Sequence, residues 1–241
     1  MNGDAAGGRH RAIRSYVVRA GRMTSGQQRA LDELWPRYGI DAGDTPLELP
    51  QLFGRGAPVT LEIGFGNGDN LAALAAAHPE RNFLGVEVHP PGVGHLLGKA
   101  AAANLTNLRV IQQDAVEVLE LRLLPGSLDS LLVLFPDPWH KKRHHKRRLI
   151  SAQFATLAVS RLAPGGTLQL ATDWTPYAQW MLEVLNVTPG LANVAADGRY
   201  VPRNPGRVRT RFEARGERLG HAVHDLCYER IREPDCHPAQ A

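Results

Sequence analysis

The sequence predicts an α/β fold in which helices cover both faces of a parallel β-sheet. Three observations lead to this prediction. From residue 59 onward, short apolar runs alternate with segments whose apolar residues have helical spacing. Glycine or acidic residues follow most of the apolar runs, as is common at the carboxyl ends of parallel strands. Finally, 241 residues with a hydrophobic content of 43% suffice for one sizeable core.

The predicted elements follow one another in a regular order. Five strands are predicted, at residues 59–64, 82–87, 108–113, 128–135 and 167–172. Helices are predicted at residues 70–77, 92–103, 115–121, 148–162 and 176–185. A capped helix is expected upstream at 24–35, and a short helix from Phe212 and a final strand near 221–231 are expected downstream.

Charge is distributed unevenly along the chain. The formal net charge is +4, yet residues 140–148 hold six Lys and Arg and no acid. Residues 1–29 hold six arginines against one acid, so the remainder of the chain is net acidic. Two concentrated basic segments on an acidic body favour a specific polyanion partner, and we expect RNA. Its phosphates are expected to contact residues 141–148 and the N-terminal arginines.

Other features limit the class of protein. Two cysteines, Cys227 and Cys236, form neither a disulfide framework nor a zinc site and are interpreted as structural or incidental. The N-terminus lacks an apolar leader and the chain lacks a long apolar run, so we expect a soluble cytoplasmic protein. The expected organisation is a basic, partly flexible arm with a short helix (1–45), one main domain (46–235) and a tail (236–241).

The first predicted strand runs into a glycine-rich turn. Gly64, Gly66 and Gly68 let the backbone turn sharply and approach a ligand closely. Asp69 occupies the position of the third glycine or alanine of a dinucleotide fingerprint, where its charge would repel a pyrophosphate. With Glu62 before the glycines, the pattern suits a ligand without phosphate that carries an amino group, such as S-adenosylmethionine. A tight strand-to-helix turn without a ligand is the alternative.

Acids lie at or just past the ends of the later predicted strands. Glu87 closes the second strand and could accept hydrogen bonds from both ribose hydroxyls, and Asp114, after the third, could accept one from an adenine amine. Asp137 stands between two prolines that stiffen its turn, and Asp173 ends the fifth strand. Each acid alone would be an ordinary loop residue. Together they predict a ligand site at one edge of the sheet.

Three further groups of side chains leave alternatives open. Trp139 and Trp174 accompany two of these acids and could equally pack in the core. The histidines of the basic segment sit in a positive field that disfavours a further proton, and we expect no metal site there. Thr210 and Glu213 form a capping-box pattern whose role could be structural alone, although a capped helix carrying Arg211 could also bind a base edge or a phosphate.

Nearly the whole chain resembles the bacterial single-chain tRNA (guanine-N7)-methyltransferases. The most specific matches are the P-D-P-W element at 136–139 with its basic continuation and the T-x-F-E-x-R-G element at 210–216. Further matches lie at 16–27, 62–66, 85–89 and 172–174. The resemblance implies a Rossmann-like class I methyltransferase with a mostly parallel seven-stranded sheet, helices on both faces and an antiparallel last strand.

The resemblance also implies roles for individual residues. The family's cofactor carboxylates match Glu62, Glu87 and Asp114, beside Gly64, Gly66 and Gly68, and Asp137 matches the catalytic residue that also touches S-adenosylmethionine. The implied tRNA contacts are Lys141, Asp173, Thr210, Arg211, Phe212 and Glu213. Val208 stands where the family often has proline, and Arg211 replaces a common lysine while keeping its charge.

The implied reaction is methylation of N7 of the guanine at position 46 in the variable loop of tRNA. It requires no metal, and the protein would be a monomer or homodimer.

Three alternative functions remain open. A methyltransferase for another RNA or for protein would not need the P-D-P-W and T-x-F-E elements. A nicotinamide-dependent oxidoreductase conflicts with Asp69, and a non-catalytic RNA-binding protein would leave the cofactor pocket unused.

Overall fold

The computed structural model describes residues 14–16, 22–208, 213–214, 218, 220 and 222–232. Sequence predictions for Thr210, Arg211, Phe212 and Cys236 therefore lie outside the described residues. The described residues form one mixed sheet with helices packed on both faces, which confirms the predicted fold class.

Eight strands form this sheet in the order β1-β4-β3-β2-β5-β6-β8-β7. The strands are β1 (Gly39–Ile40), β2 (Val59–Ile63), β3 (Asn82–Val86), β4 (Leu108–Ile111), β5 (Leu128–Leu134), β6 (Leu162–Thr172), β7 (Leu191–Asn193) and β8 (His224–Arg230). Strands β1 to β6 pair in parallel, whereas β8 runs antiparallel to both β6 and β7. The antiparallel final strand is therefore confirmed. The sheet has one strand more than the seven implied, because the two-residue β1 joins its edge beside β4.

The helices divide between two hydrophobic cores. They are α1 (Ser25–Tyr38), α2 (Leu49–Phe53), α3 (Asp69–Ala77), α4 (Pro90–Ala102), α5 (Ala115–Glu117), α6 (Ala152–Arg161) and α7 (Thr175–Leu185), with a π-helical turn (Val118–Arg122) and a 3₁₀ helix (Lys142–Arg147). One core contains α1, α3 and α4 around residues such as Phe83 and Leu96. The other contains α6 and α7 around Phe154 and Tyr177. All residues of β2 and β3 are buried, as central parallel strands covered on both faces require.

Local interactions explain where predicted and observed boundaries differ. The helix expected from residue 148 begins only at Ala152, because Ser151 caps it by accepting from Phe154 N–H at 3.3 Å. Arg148 instead lies buried before the cap. The helix expected from residue 92 begins two residues earlier, at Pro90, where proline suits the first turn. Among the described residues, no helix is both long and apolar enough to cross a membrane.

Candidate active site

The predicted acids follow strands whose carboxyl ends share one edge of the sheet. Because β2 to β6 are parallel, the loops after them emerge on the same side. A cavity of about 320 Å³ opens there, between the glycine turn after β2 and the loops after β3, β4 and β5. Gly64, Gly66, Glu87 and Asp137 all line it. The structure thus brings two of the four predicted cofactor carboxylates, Glu87 and Asp137, to the wall of one cavity.

The glycine turn allows close packing around this cavity. Gly64, Gly66 and Gly68 have φ values of 68°, 56° and 71°, a left-handed conformation that side chains disfavour. Helix α4 also approaches the turn closely, since a Cβ added to Gly92 would lie 2.2 Å from the carbonyl oxygen of Gly66. The backbone of the turn is therefore held by α4 behind it and remains open toward the cavity in front.

Glu62 lies beneath this turn rather than on the cavity wall. Its side chain is buried, and Asn70 Nδ2 donates to its Oε2 at 2.9 Å. Burial raises the pKa of Glu62 to about 7, and the nearby charge of Glu87 adds to the increase, while the hydrogen bond from Asn70 opposes it. A cationic amino group brought near Glu62 would favour its ionised form.

Three backbone N–H groups hold the carboxylate of Glu87 in place. Its Oε1 accepts from the N–H groups of Val88 at 2.7 Å and His89 at 3.0 Å, and its Oε2 accepts from Gly66 N–H at 3.0 Å. These bonds orient the carboxylate and tie the loop after β3 to the glycine turn. A carboxylate has about four acceptor sites, so capacity remains for a hydroxyl donor in the cavity.

Asp114 stands at the boundary between two cavities. Its neighbours Gln113 and Ala115 line the 320 Å³ cavity, whereas Asp114 itself lines an adjoining one of about 400 Å³ that shares Ser15 and Leu149 with the first. Asp114 also caps α5 by accepting from Val116 N–H at 2.8 Å. It therefore lies beside the cavity that Glu87 and Asp137 line, with its carboxylate partly committed to the cap.

The loop that carries Asp137 has an unusual backbone. Phe135 and Trp139, on either side of it, have φ values of 53° and 47°, which cost about 1–3 kcal/mol each for residues other than glycine. Phe135 N–H donates to Ala171 O at 2.8 Å, and Arg148 Nε donates to Pro138 O at 3.0 Å. These bonds hold the loop, which we call the Asp137 turn (residues 135–139), against the sheet.

Trp139 connects the Asp137 turn with the N-terminal segment, a contact that the sequence did not predict. Its Nε1 donates to Ser15 O at 3.0 Å, and the guanidinium of Arg147 lies 5.0 Å from its ring centroid. Ser15 and Tyr16 consequently line the cavity opposite the glycine turn. The half-buried Trp139 thus holds the N-terminal segment beside the cavity and is not simply a core residue.

The segment with the second acid and indole, Asp173 and Trp174, contacts the residue that follows the Asp137 turn. Asp173 directly follows β6, and Trp174 N–H donates to Thr172 Oγ1 at 3.3 Å. The ring of His140 packs edge-on against Trp174, with centroids 4.3 Å apart. Because His140 directly follows the Asp137 turn, the structure brings the start of the basic segment beside Asp173, as a shared substrate site would require.

The basic segment divides into an exposed part and a buried part. Lys141, Lys142, Arg143 and Lys146 lie on or just before the 3₁₀ helix on the outside of the molecule, and we call these four residues the basic ridge. Arg148 is only 7% exposed and stacks near the rings of Tyr177 and Trp180, so the expectation that it contacts a phosphate is wrong. Desolvation and the surrounding cations lower the pKa of the His144 side chain, consistent with the predicted positive field.

Glu213, the one described residue of the predicted 210–213 cluster, is fully buried in a cluster of ions. Arg207 donates to both its carboxylate oxygens, at 2.8 and 2.9 Å, and to both oxygens of Asp225 at 3.2 Å. Arg203 adds a bond of 2.9 Å. Burial alone would raise the pKa of Glu213, but the two arginines outweigh it and lower that pKa. Arg207 and Asp225 were not predicted from the sequence, because neither belongs to a local motif.

Two observations qualify the sequence argument. Asp69 forms an ion pair with Lys99 of α4, so its charge repels an approaching anion less than the sequence alone suggested. A larger cavity of about 560 Å³ extends along β2, β5 and β6, but it contains none of the predicted site carboxylates. Within the described part of the chain, no group of three or more His, Cys, Asp or Glu side chains could hold a metal ion.

Comparison with known proteins decides the family. Residues 56–226 match the family model described as "Putative methyltransferase". The chain is 56% identical over 222 residues to the tRNA (guanine-N(7)-)-methyltransferase of Pseudomonas fluorescens (strain Pf0-1), covering 92% of each chain. It is equally similar to the enzyme of that name from Pseudomonas syringae pv. syringae (strain B728a), covering 92% of this chain and 91% of the other. The chain belongs to the tRNA (guanine-N(7)-)-methyltransferase family.

Solved structures confirm the fold of this tRNA (guanine-N(7)-)-methyltransferase family member. The 16S rRNA methyltransferase KamB aligns with a TM-score of 0.59 and 18% identity, over 79% of this chain and 96% of that chain. A mutant of the 16S rRNA (adenine(1408)-N(1))-methyltransferase from Catenulisporales acidiphilia, solved with cosubstrate SAM, aligns with a TM-score of 0.53 and 19% identity, over 78% of this chain and 92% of that chain. At such identities the likeness concerns the fold alone.

Proposed function

We propose that this chain transfers a methyl group from S-adenosylmethionine to N7 of the guanine at position 46 in the variable loop of tRNA. The observation that carries this proposal is the cavity shared by the glycine turn, Glu87 and Asp137, with the basic ridge beginning four residues after Asp137. The family of the chain supports both the reaction and the substrate. A cytoplasmic location is part of the same proposal because tRNA is the substrate.

The carboxylates in and around the cavity fit S-adenosylmethionine as hydrogen-bond acceptors. Glu62 beneath the turn suits an ammonium group, the oriented Glu87 suits ribose hydroxyls, and Asp114 suits an adenine amine. Apolar side chains from the ends of β2, β3 and β5 (Ile63, Val86 and Val133) line the same cavity. When bound, the cofactor supplies an electrophilic methyl group on a sulfonium. An anionic cofactor would instead meet several carboxylates at this edge.

Asp137 acts on the base by position and charge. Guanine N7 has an in-plane lone pair and no proton, so its methylation requires no general base. The purine gains positive charge during the transfer, and a fixed carboxylate on the stiff Asp137 turn stabilises that charge. Alignment of reacting groups can contribute about 7–11 kcal/mol, and the bonds that hold this turn serve that alignment.

The basic ridge and Asp173 provide the tRNA side of the site. Lys141 stands four residues after Asp137 and is exposed, which suits contact with a phosphate near the target base. His140 packs on Trp174, the residue after Asp173, which supports a role for Asp173 beside the same loop. Sequence-independent contacts from the ridge would position the tRNA, while the site around Asp137 and Asp173 selects the guanine.

The proposal is tested by methyl transfer from radiolabelled S-adenosylmethionine to unmodified tRNA, followed by digestion and nucleoside mapping. The expected product is 7-methylguanosine at position 46 alone. Label in another nucleoside would assign a different RNA methyltransferase activity to the chain. Binding of tRNA with no label in any nucleoside would favour the non-catalytic RNA-binding alternative.

A further inference from the structure

Asn70 joins two parts of the chain that are far apart in sequence. Its Nδ2 donates to Glu62 Oε2 at 2.9 Å, and its Oδ1 accepts from Val208 N–H at 3.1 Å. Asn70 is 3% exposed, so water competes little with either bond. Because a backbone N–H can only donate, Val208 fixes Oδ1 toward itself and leaves Nδ2 to face Glu62.

The stretch that ends at Val208 also contacts the Asp137 turn. Arg207, the preceding residue, is buried between Glu213 and Asp225, and its guanidinium lies 5.4 Å from the ring centroid of Phe135. Val208 is therefore bonded to Asn70 beside the glycine turn, and the neighbouring Arg207 packs on the Asp137 turn. The tRNA contacts implied by the family resemblance begin two residues later, at Thr210.

We infer that Asn70 is a positioning residue that couples cofactor binding at Glu62 to tRNA binding. This inference rests on the proposed function and identifies a regulation within the same site. An ammonium group near Glu62 favours the carboxylate, and a carboxylate accepts a stronger hydrogen bond from Nδ2 than a neutral carboxyl does. The amide of Asn70 is then held more firmly, and with it the bond to Val208. By thermodynamic reciprocity, tRNA strengthens cofactor binding by the same factor.

The coupling is measured as the ratio of the tRNA dissociation constants without and with saturating S-adenosylhomocysteine, which binds the site without reacting. We expect a ratio of at least about five for the wild-type protein, within the usual range of coupling between sites. Asn70→Ala should bring this ratio below about two. Asn70→Leu, which has a branched side chain of similar shape and removes both hydrogen bonds without placing a second carboxyl beside Glu62, should do the same and covers the case in which Asn70→Ala does not fold.

Asn107 supplies a matched control at the other end of α3. Its buried amide donates to the carbonyl oxygens of Ala75, His78 and Arg81, so Asn107→Ala should also lower stability. Its coupling ratio should nevertheless equal that of the wild type, which separates positioning from a general loss of structure.

Three results would overturn the inference: a wild-type ratio near one, an unchanged ratio in the Asn70 variants, or an equal reduction of the ratio in Asn107→Ala. If the wild-type protein methylates tRNA and yet shows a ratio near one, the coupling fails while the proposed function stands. If it binds both ligands but transfers no methyl group, the proposed function fails instead.

Discussion

Cofactor binding should depend on pH in a way set by the environment of Glu62. Burial, with a contribution from the charge of Glu87, raises the pKa of Glu62 to about 7 in the cofactor-free protein. If Glu62 has to be ionised to receive an ammonium group, the affinity follows its ionised fraction, about one tenth at pH 6 and about three quarters at pH 7.5. The dissociation constant for S-adenosylhomocysteine should thus be about eightfold larger at pH 6 than at pH 7.5.

Isothermal titration calorimetry measures both this change and the protons that accompany it. At pH 7, binding should release about half a proton, seen as different heats in buffers of different ionisation enthalpy. Glu62→Gln should bind more weakly at pH 7.5 and lose the pH dependence. His89 also lines the cavity and serves as the control, because His89→Gln should retain the dependence. A wild-type affinity that is flat between pH 6 and 7.5, without proton release, would refute the role of Glu62.

Three further predictions concern stability, catalysis and RNA binding. The raised pKa of Glu62 contributes stability below pH 4.5, its ordinary value, and this contribution is lost as the pH rises to about 7. In urea unfolding, Glu62→Gln should therefore be more stable than the wild type at pH 7.5, by up to ~3 kcal/mol, and equal to it at pH 4.5. Equal stability of the two proteins at both pH values would contradict this prediction. Asp137→Asn should retain measurable methyl transfer, and abolished transfer together with a steep carboxylate limb in the wild-type kcat–pH profile would show a general base instead. Reversing the charges of Lys142, Arg143 and Lys146 should reduce the slope of log K for tRNA binding against log salt concentration by roughly 0.7–0.9 for each phosphate that is no longer neutralised. The affinity for S-adenosylhomocysteine should stay within about twofold of the wild type. A large drop in the S-adenosylhomocysteine affinity would mean that the ridge is structural.

The sequence predicted the central sheet and the edge that carries the site. The strands β2 to β5 and residues 167–172 of β6 are short apolar runs between helical patterns, and their parallel pairing follows from that alternation. Because parallel strands end at one edge, the positions of Glu87 and Asp137 on one cavity could be expected from their place after β3 and β5. The sequence also predicted β8, near residues 221–231, whereas its antiparallel direction was implied by the family resemblance.

Other parts of the site depend on contacts between residues distant in sequence. The pairing of Arg207 with Asp225, the bond from Trp139 to Ser15 and the bond from Val208 to Asn70 join segments that share no periodic pattern. The burial of Arg148 could not be read from a run of basic residues, because its burial depends on packing against α7. Local sequence therefore predicted that Glu87 and Asp137 lie at one edge of the sheet, while tertiary packing determined what holds them.

The most direct test of the proposed reaction uses a tRNA in which the guanine at position 46 is replaced by 7-deazaguanine, which has carbon in place of N7. This tRNA should bind with nearly the affinity of the unmodified one and accept no methyl group, whereas the unmodified tRNA should accept one per molecule. Methylation of the 7-deazaguanine tRNA to the same extent as the unmodified one would contradict methylation at N7 of position 46.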